Sequence, residues 1–125
     1  MKRDMELIRK LLMMIEDSPD AYAPEITEAE GYSSDMVDYH KALLVDAGLV
    51  VGSEGQMMGK QSPCVDLTRL SWAGHEFLDA AKEDTRWNKA MKLVRDKGGA
   101  ITFEVLKALL TSLMKTAVGL GPRDP

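Results

Sequence analysis

Three side chains in this sequence are the types that nucleophilic catalysis would draw on: Cys64, His40 and His75. A thiolate attacks when a neighbouring imidazole takes its proton and nearby donors receive the charge that develops. Cys64 lies just ahead of an apolar stretch in a glycine-rich segment, and neither histidine stands in a nucleophile motif. No catalytic set is expected. The same three residues are too scattered for a zinc site, since the chain has no Cys-x-x-Cys and no His-x-x-x-His. Neither a metal, a cofactor nor a small-molecule ligand is expected. His40 and His75 read as half-buried helix residues bonded to backbone, as buried polar groups normally are.

Charge patterns offer more. Arg86, Lys89, Lys92 and Arg95 recur every third residue and are the best candidates for phosphate contacts, together with Lys60. Asp96 interrupts that face, and a solvated surface opposite Trp87 and Met91 explains it better than phosphate contact does. Asp35, Asp38, Glu25, Glu28 and Glu30 form the acidic counterpart, suited to a basic protein partner. Met57-Met58 stands in a glycine-rich loop with no core nearby, which marks a contact point. Met13, Met14 and Met36 read as core filling, and Trp72 and Trp87 as core anchors where two helices cross.

Five helices and one hairpin must hold these residues. Asp4 caps a first helix to about Asp17, whose Ile8, Leu11, Leu12 and Ile15 make an apolar stripe that Met5 extends. Ser18-Pro19 stops it, and Ala23 to Ile26 can form a short strand in an otherwise turn-rich segment. A second helix starts at Ser33 or Ser34, with Val37, His40, Leu44 and Ala47 on one face and Gly48 as a left-handed end. Leu49 to Val51 and Val65 to Leu70 read as two strands, with Val65, Leu67 and Arg69 alternating against Asp66 and Thr68. Ser71 caps a third helix with Gly74, Phe77, Leu78 and Ala81 inward, and Gly74 allows a close backbone approach. A fourth helix, roughly Asp84 to Lys97, buries Trp87, Met91 and Val94, and Gly98-Gly99 breaks the chain. Thr102 opens the last helix, with Phe103, Leu106, Leu109, Leu110, Leu113 and Ala117 along a wide stripe. Residues 119–125 are expected to fray.

At 125 residues, 45% hydrophobic and 29% charged, the chain suits one globular domain with a core that needs no disulfide. One cysteine fits a reducing cytoplasm. No stretch approaches the ~18 apolar residues of a membrane span, and acidic residues interrupt the amino-terminal run that could be taken for a signal peptide. The net charge of −4 is unevenly spread. Residues 1–53 hold 11 acidic and 5 basic side chains, and residues 54–125 hold 9 and 11. Nucleic acid would be repelled by the first half.

Ser33 to Val51 (SSDMVDYHKALLVDAGLVV) resembles the recognition-helix segment of small bacterial repressors of the arsenic-repressor type. Leu67 to Leu78 (LTRLSWAGHEFL) is similar to the strand-to-helix corner of winged-helix regulators. Over nearly its whole length the chain resembles a family of small phage and prophage proteins of unknown function. Residues 1–9 (MKRDMELIR), Tyr39-His40, Asp46 to Leu49, Gly74 to Leu78 and Asp84 to Lys89 (DTRWNK) carry that likeness. The resemblance implies an α+β, mostly α, winged helix-turn-helix-like core over residues 1–83, with a small antiparallel sheet. A two-helix extension follows over 84–118. It departs from the repressors where Lys41 stands in place of a buried Leu. Asp35 and Asp38 project from the first turns, where a base reader carries Arg, Lys, Asn or Gln.

Two functions follow as expectations, neither enzymatic. One is a DNA-associated regulatory protein of phage origin, with Ser33, Ser34 and Tyr39 reaching the groove while Lys60, Arg86, Lys89, Lys92 and Arg95 hold phosphates. The other is an acidic module that binds a host or phage protein through Asp35, Asp38, Met57 and Met58. The last helix can also pair with a second copy to form a homodimer.

Overall fold

The computed structural model describes residues 1–98 and 102–119. Gly99 of the expected Gly98-Gly99 break and residues 120–125 of the expected frayed tail lie outside the described residues. The architecture is mostly helical α+β: α1 (Met5–Glu16), α2 (Ser34–Asp46), the antiparallel pair β1 (Val50–Gly55) and β2 (Cys64–Leu70), α3 (Trp72–Ala81), α4 (Asp84–Asp96) and α5 (Phe103–Ala117). The chain divides inside α3, into one unit of Met1–Leu78 and a second that begins at Asp79.

In the first unit, α1 begins where the Asp4 carboxylate accepts the backbone N–H of Glu6 at 2.9 Å and of Leu7 at 3.3 Å. These are donors that a first helical turn otherwise leaves unpaired. Met5, Leu7, Ile8, Leu11, Leu12 and Ile15 are buried. Because they fill the inward arc, Met13 is only half-buried and Met14 is 37% exposed, so these two methionines do not fill the core as expected. Residues 20–33 contain no helix, and the short strand expected at Ala23 to Ile26 reduces to one bond, from Ala23 N–H to the Thr68 carbonyl at 2.8 Å.

Helix α2 is capped by the Ser33 hydroxyl, which accepts from Met36 N–H. It ends in a paired closure: Leu49 N–H donates to the Leu44 carbonyl and Gly48 N–H to that of Val45. Gly48 takes φ +73°, a conformation that costs other residues energy, and Leu49 is buried beyond it. Ala47 is exposed because it is the helix's last cap rather than part of its inner face.

The hairpin is longer than its apolar core suggests, since the ladder carries β1 out to Gly55 against Cys64. Its register slips once, so that Val51 faces Arg69 while Gly52 faces Leu67, and Thr68 is left over as a bulge. That bulge reverses the inside–outside alternation, which is why Leu70 is buried and Arg69 exposed, against the simple alternation expected of β2. A Cβ on Gly52 would run into the Asp66 carbonyl oxygen, so the bulge needs glycine at this position. The Ser71 hydroxyl then caps α3 through Gly74 N–H at 3.0 Å and itself donates to the Gly48 carbonyl. Gly74 lies against the carbonyl of Leu49, at a distance no side chain would allow. Trp72, at the first position of α3, is 82% exposed and donates its Nε1–H to Glu76, so it is not a core anchor.

In the second unit, Arg86 turns back over the end of α3, and Trp87, Ala90 and Val94 of α4 are buried, with Met91 half-buried. On α5, Leu106 and Leu110 are buried and Phe103, Leu109 and Leu113 half-buried, while Ala117 in the last turn is exposed. Among the described residues no helix is long and apolar enough to cross a membrane.

The close approach at Gly74 has a measurable consequence. Gly74→Ala should destabilise the protein by about 1–3 kcal/mol through forced displacement of the Leu49 backbone. Gly55→Ala, where an added methyl meets open space, should change the urea midpoint little.

Candidate functional site

The buried polar groups of the first unit converge on two turns of α2. His40 is fully buried, and its Nε2 lies 2.8 Å from the backbone nitrogen of Asp4, which can only donate. Nε2 is therefore the acceptor, and Nδ1 carries the proton toward the Met36 carbonyl at 2.8 Å. The ring of Tyr39 meets it edge-on at 5.7 Å. Tyr32 stands beside the same start of α1. Burial, and next the Asp4 carboxylate, push its hydroxyl above the usual phenol range. His40 thus fits the half-buried, backbone-bonded expectation in all but being more deeply buried. His75 does not, because it is exposed on α3.

On adjoining positions of the same helix, Lys41 is 5% exposed and Asp38 9%. The Lys41 ammonium donates to the Ile26 carbonyl at 2.8 Å and lies 4.0 Å from Asp38 Oδ1. Asp38 Oδ2 accepts from the Ser62 hydroxyl at 3.0 Å and from the Lys60 ammonium at 2.9 Å. The loop between β1 and β2 is thereby anchored on α2, and among the described residues no buried side-chain polar atom lacks a partner. Asp38 was expected to project from the helix toward a partner. It faces inward instead, because a helix that buries Val37 and Lys41 carries residue 38 toward the hairpin.

The remaining candidates fall in different places. Ser33 is the helix cap, Ser34 and Asp35 are exposed on the first turn of α2, and Tyr39 is half-buried. Met57 and Met58 are 61% and 101% exposed at the end of the hairpin, the most open adjacent apolar pair among the described residues. Arg86 is engaged at the end of α3, its guanidinium donating to the carbonyls of Ala80 at 2.9 Å and Asp79 at 3.2 Å. Lys92 pairs with Asp96 at 2.9 Å, and Lys89 and Arg95 are exposed. Cys64 is a free thiol 4.0 Å from the Lys60 ammonium, away from the bonds that occupy His40. Among the described residues no three His, Cys, Asp or Glu side chains cluster as metal ligands would.

Sequence reasoning missed the role of Asp4 beyond capping, the contact of Ser62 and the pairing of Lys60 with Asp38. One signal was present: a lysine at position 41, where a helix of this pattern buries leucine, must find buried oxygen partners. A further feature escaped it as well, a groove of about 690 Å³ lined by Lys10, Met13, Met14, Asp17, Ala29 and Tyr32 together with Glu28 and Glu30.

Helices, hairpin and inward-facing charge together define a small, mostly helical α+β protein. The chain belongs to the family described as "Hypothetical protein (DUF2513)", whose model matches residues 2–100. It is 30% identical over 115 residues to an "Uncharacterized protein" of Haemophilus influenzae (strain ATCC 51907 / DSM 11121 / KW20 / Rd), a match that covers 91% of this chain and 96% of that protein. No solved structure matches the chain.

Besides Tyr32, two exposed ionisable groups add to the pH dependence of stability. The hydrogen bond to Asp38 raises the Lys60 pKa above the ordinary lysine value. At the start of α4, the backbone N–H groups of Arg86 and Thr85 hold the Glu83 carboxyl below the ordinary range. The contribution of Lys60 is complete below the unfolded lysine value and is lost as pH rises through the raised one. That of Glu83 is complete above the unfolded carboxyl value and is lost as pH falls through the lowered one. Urea midpoints should therefore be level through neutral pH and fall at both ends. Lys60→Gln should flatten the alkaline limb and Glu83→Gln the acid limb.

Proposed function

We propose that this chain is a non-enzymatic protein-interaction module whose acidic amino-terminal unit engages a basic protein partner in the cytoplasm. The observation that carries this reading is the fate of the cations. Lys60 is paired to Asp38, Arg86 closes the end of α3 and Lys92 pairs with Asp96, so three of the five groups suited to phosphate are already engaged. The exposed positions of α2 include Asp35 and Asp46 and no lysine or arginine, and Met57 and Met58 stand open at the hairpin end. Lys60 bonds Asp38 in the second turn of α2 and lines the same surface depression as Met57, which brings the hairpin end beside the start of that helix. Acidic and apolar groups side by side suit a basic, amphipathic protein surface and repel a phosphate backbone. The free Cys64 is compatible with a reducing compartment. The half-buried Phe103, Leu109 and Leu113 of α5 support self-association through that helix.

A DNA-associated regulator of phage origin is the second reading. What favours it is the element order: α1, the Ala23 bond onto β2, then α2 leading into a hairpin, as in a winged helix-turn-helix. Lys89 and Arg95, both exposed, would supply the phosphate contacts. The likeness of residues 1–9 and 84–89 to phage proteins supports the origin under either reading.

The two readings separate in one comparison. Titrating the protein into a labelled random-sequence duplex at low salt should leave its fluorescence anisotropy unchanged. A photo-crosslinking residue at position 58 should trap a discrete protein adduct in lysate of the source cells, and Asp35→Lys should remove it. Salt-sensitive duplex binding in the range of about 10⁻⁴–10⁻⁶ M, with no adduct, would overturn the interaction reading in favour of DNA.

A further inference from the structure

The groove beside α1 has features that the core does not require. The inward stripe of α1 is complete with Leu11, Leu12 and Ile15, which leaves Met13 and Met14 turned toward the groove. Its other wall is the turn from Glu28 to Tyr32, closed by a bridge between Ala29 and Tyr32 around Gly31 at φ +86°. The floor is therefore flexible thioether and aromatic ring, a lining that adapts to varied apolar side chains.

The rim is charged in one sense. Asp17, Glu28 and Glu30 contribute three carboxylates, and no ion pair within the described residues engages them. The one cation of the lining, Lys10, holds its ammonium 5.7 Å from the centre of the Tyr32 ring. An occupant must then bring its own positive charge around an apolar anchor.

We propose that this groove binds a cationic amphipathic segment of a partner protein. Its apolar face would lie on Met13, Met14 and Tyr32, with its Lys or Arg side chains against Asp17, Glu28 and Glu30. The inference rests on the interaction reading above and names the partner chemistry at a second surface, apart from the hairpin end.

The test uses a fluorescein-labelled Leu/Lys amphipathic peptide of about four helical turns, with a Leu/Glu peptide of equal length as control. Anisotropy measures affinity, and the methionine ε-methyl signals of the whole chain report where the peptide sits. The Leu/Lys peptide should bind saturably and shift the Met13 and Met14 methyls, while the Leu/Glu peptide should not bind. Glu28→Lys with Glu30→Lys should weaken binding by about tenfold or more, through lost attraction at the rim, with an unchanged urea midpoint. Binding that shifts only the Met57 and Met58 methyls would overturn the groove and leave the interaction reading standing. Absence of saturable binding would overturn the groove, whereas the interaction reading is decided separately by crosslinking at position 58. A doubled solution mass without peptide, with Met13 and Met14 shifting on dilution, would assign the groove to a second copy and also overturn the proposal.

Discussion

A lysine ammonium buried on α2 constrains the whole amino-terminal unit. Taking such a charge out of water costs several kcal/mol unless oxygen atoms replace the lost hydration. Lys41 finds them in the Ile26 carbonyl and the Asp38 carboxylate. Meeting that demand fixes the irregular segment ahead of α2, because residue 26 must bring its carbonyl to the helix. It also brings in Asp38, which in turn holds Ser62 and Lys60 of the hairpin. His40 adds a third tie, to the backbone of Asp4 at the start of α1. Segments distant in sequence are thus held to one short stretch of helix by polar contacts, and apolar packing fills the space between them.

The same arrangement decides what is left for function. Residues that a recognition helix would present are partly consumed in holding the unit together, and Lys60 is drawn in with them. The open surface that remains is acidic on α2 and apolar at the hairpin end, with a methionine-lined groove beside α1. Several of the stretches that stand out in the sequence as motifs turn out to serve architecture. Asp4 caps α1, His40 ties two helices, Gly48 closes α2, and Gly74 lets α3 lie on the Leu49 carbonyl. Sequence likeness at those positions describes how the chain folds rather than what it binds.

Much of the fold was legible in the sequence because local rules decide it. The Asp4 and Ser33 caps, the Gly48 ending, the inward Gly74 and the apolar stripe of α1 follow from helix geometry and glycine's freedom. The bulge at Thr68 was not legible, since it depends on which β1 residue meets which β2 residue, and so the inward turn of Leu70 was missed. Trp72 was misplaced because a large ring at a helix start reads as core unless the facing surface is known. Of the candidate site, the exposure of Met57, Met58 and Asp35 was readable from loop composition and helix phase. The inward turn of Asp38 and its pairing with Lys60 were not, because they depend on a partner more than twenty residues away in the sequence.

The central claim is that the buried Asp38–Lys41 pair acts as one shared constraint. A double-mutant cycle of Asp38→Asn and Lys41→Met, read by urea unfolding, tests it most directly. Asp38→Asn leaves the buried Lys41 ammonium with the Ile26 carbonyl and no counter-ion, whereas Lys41→Met leaves Asp38 only Lys60 and Ser62. The double variant should therefore lose less stability than the sum of the two, by about 0.5–3 kcal/mol. Additive losses, agreeing within about 0.3 kcal/mol, would mean that the two charges act independently and would contradict the account.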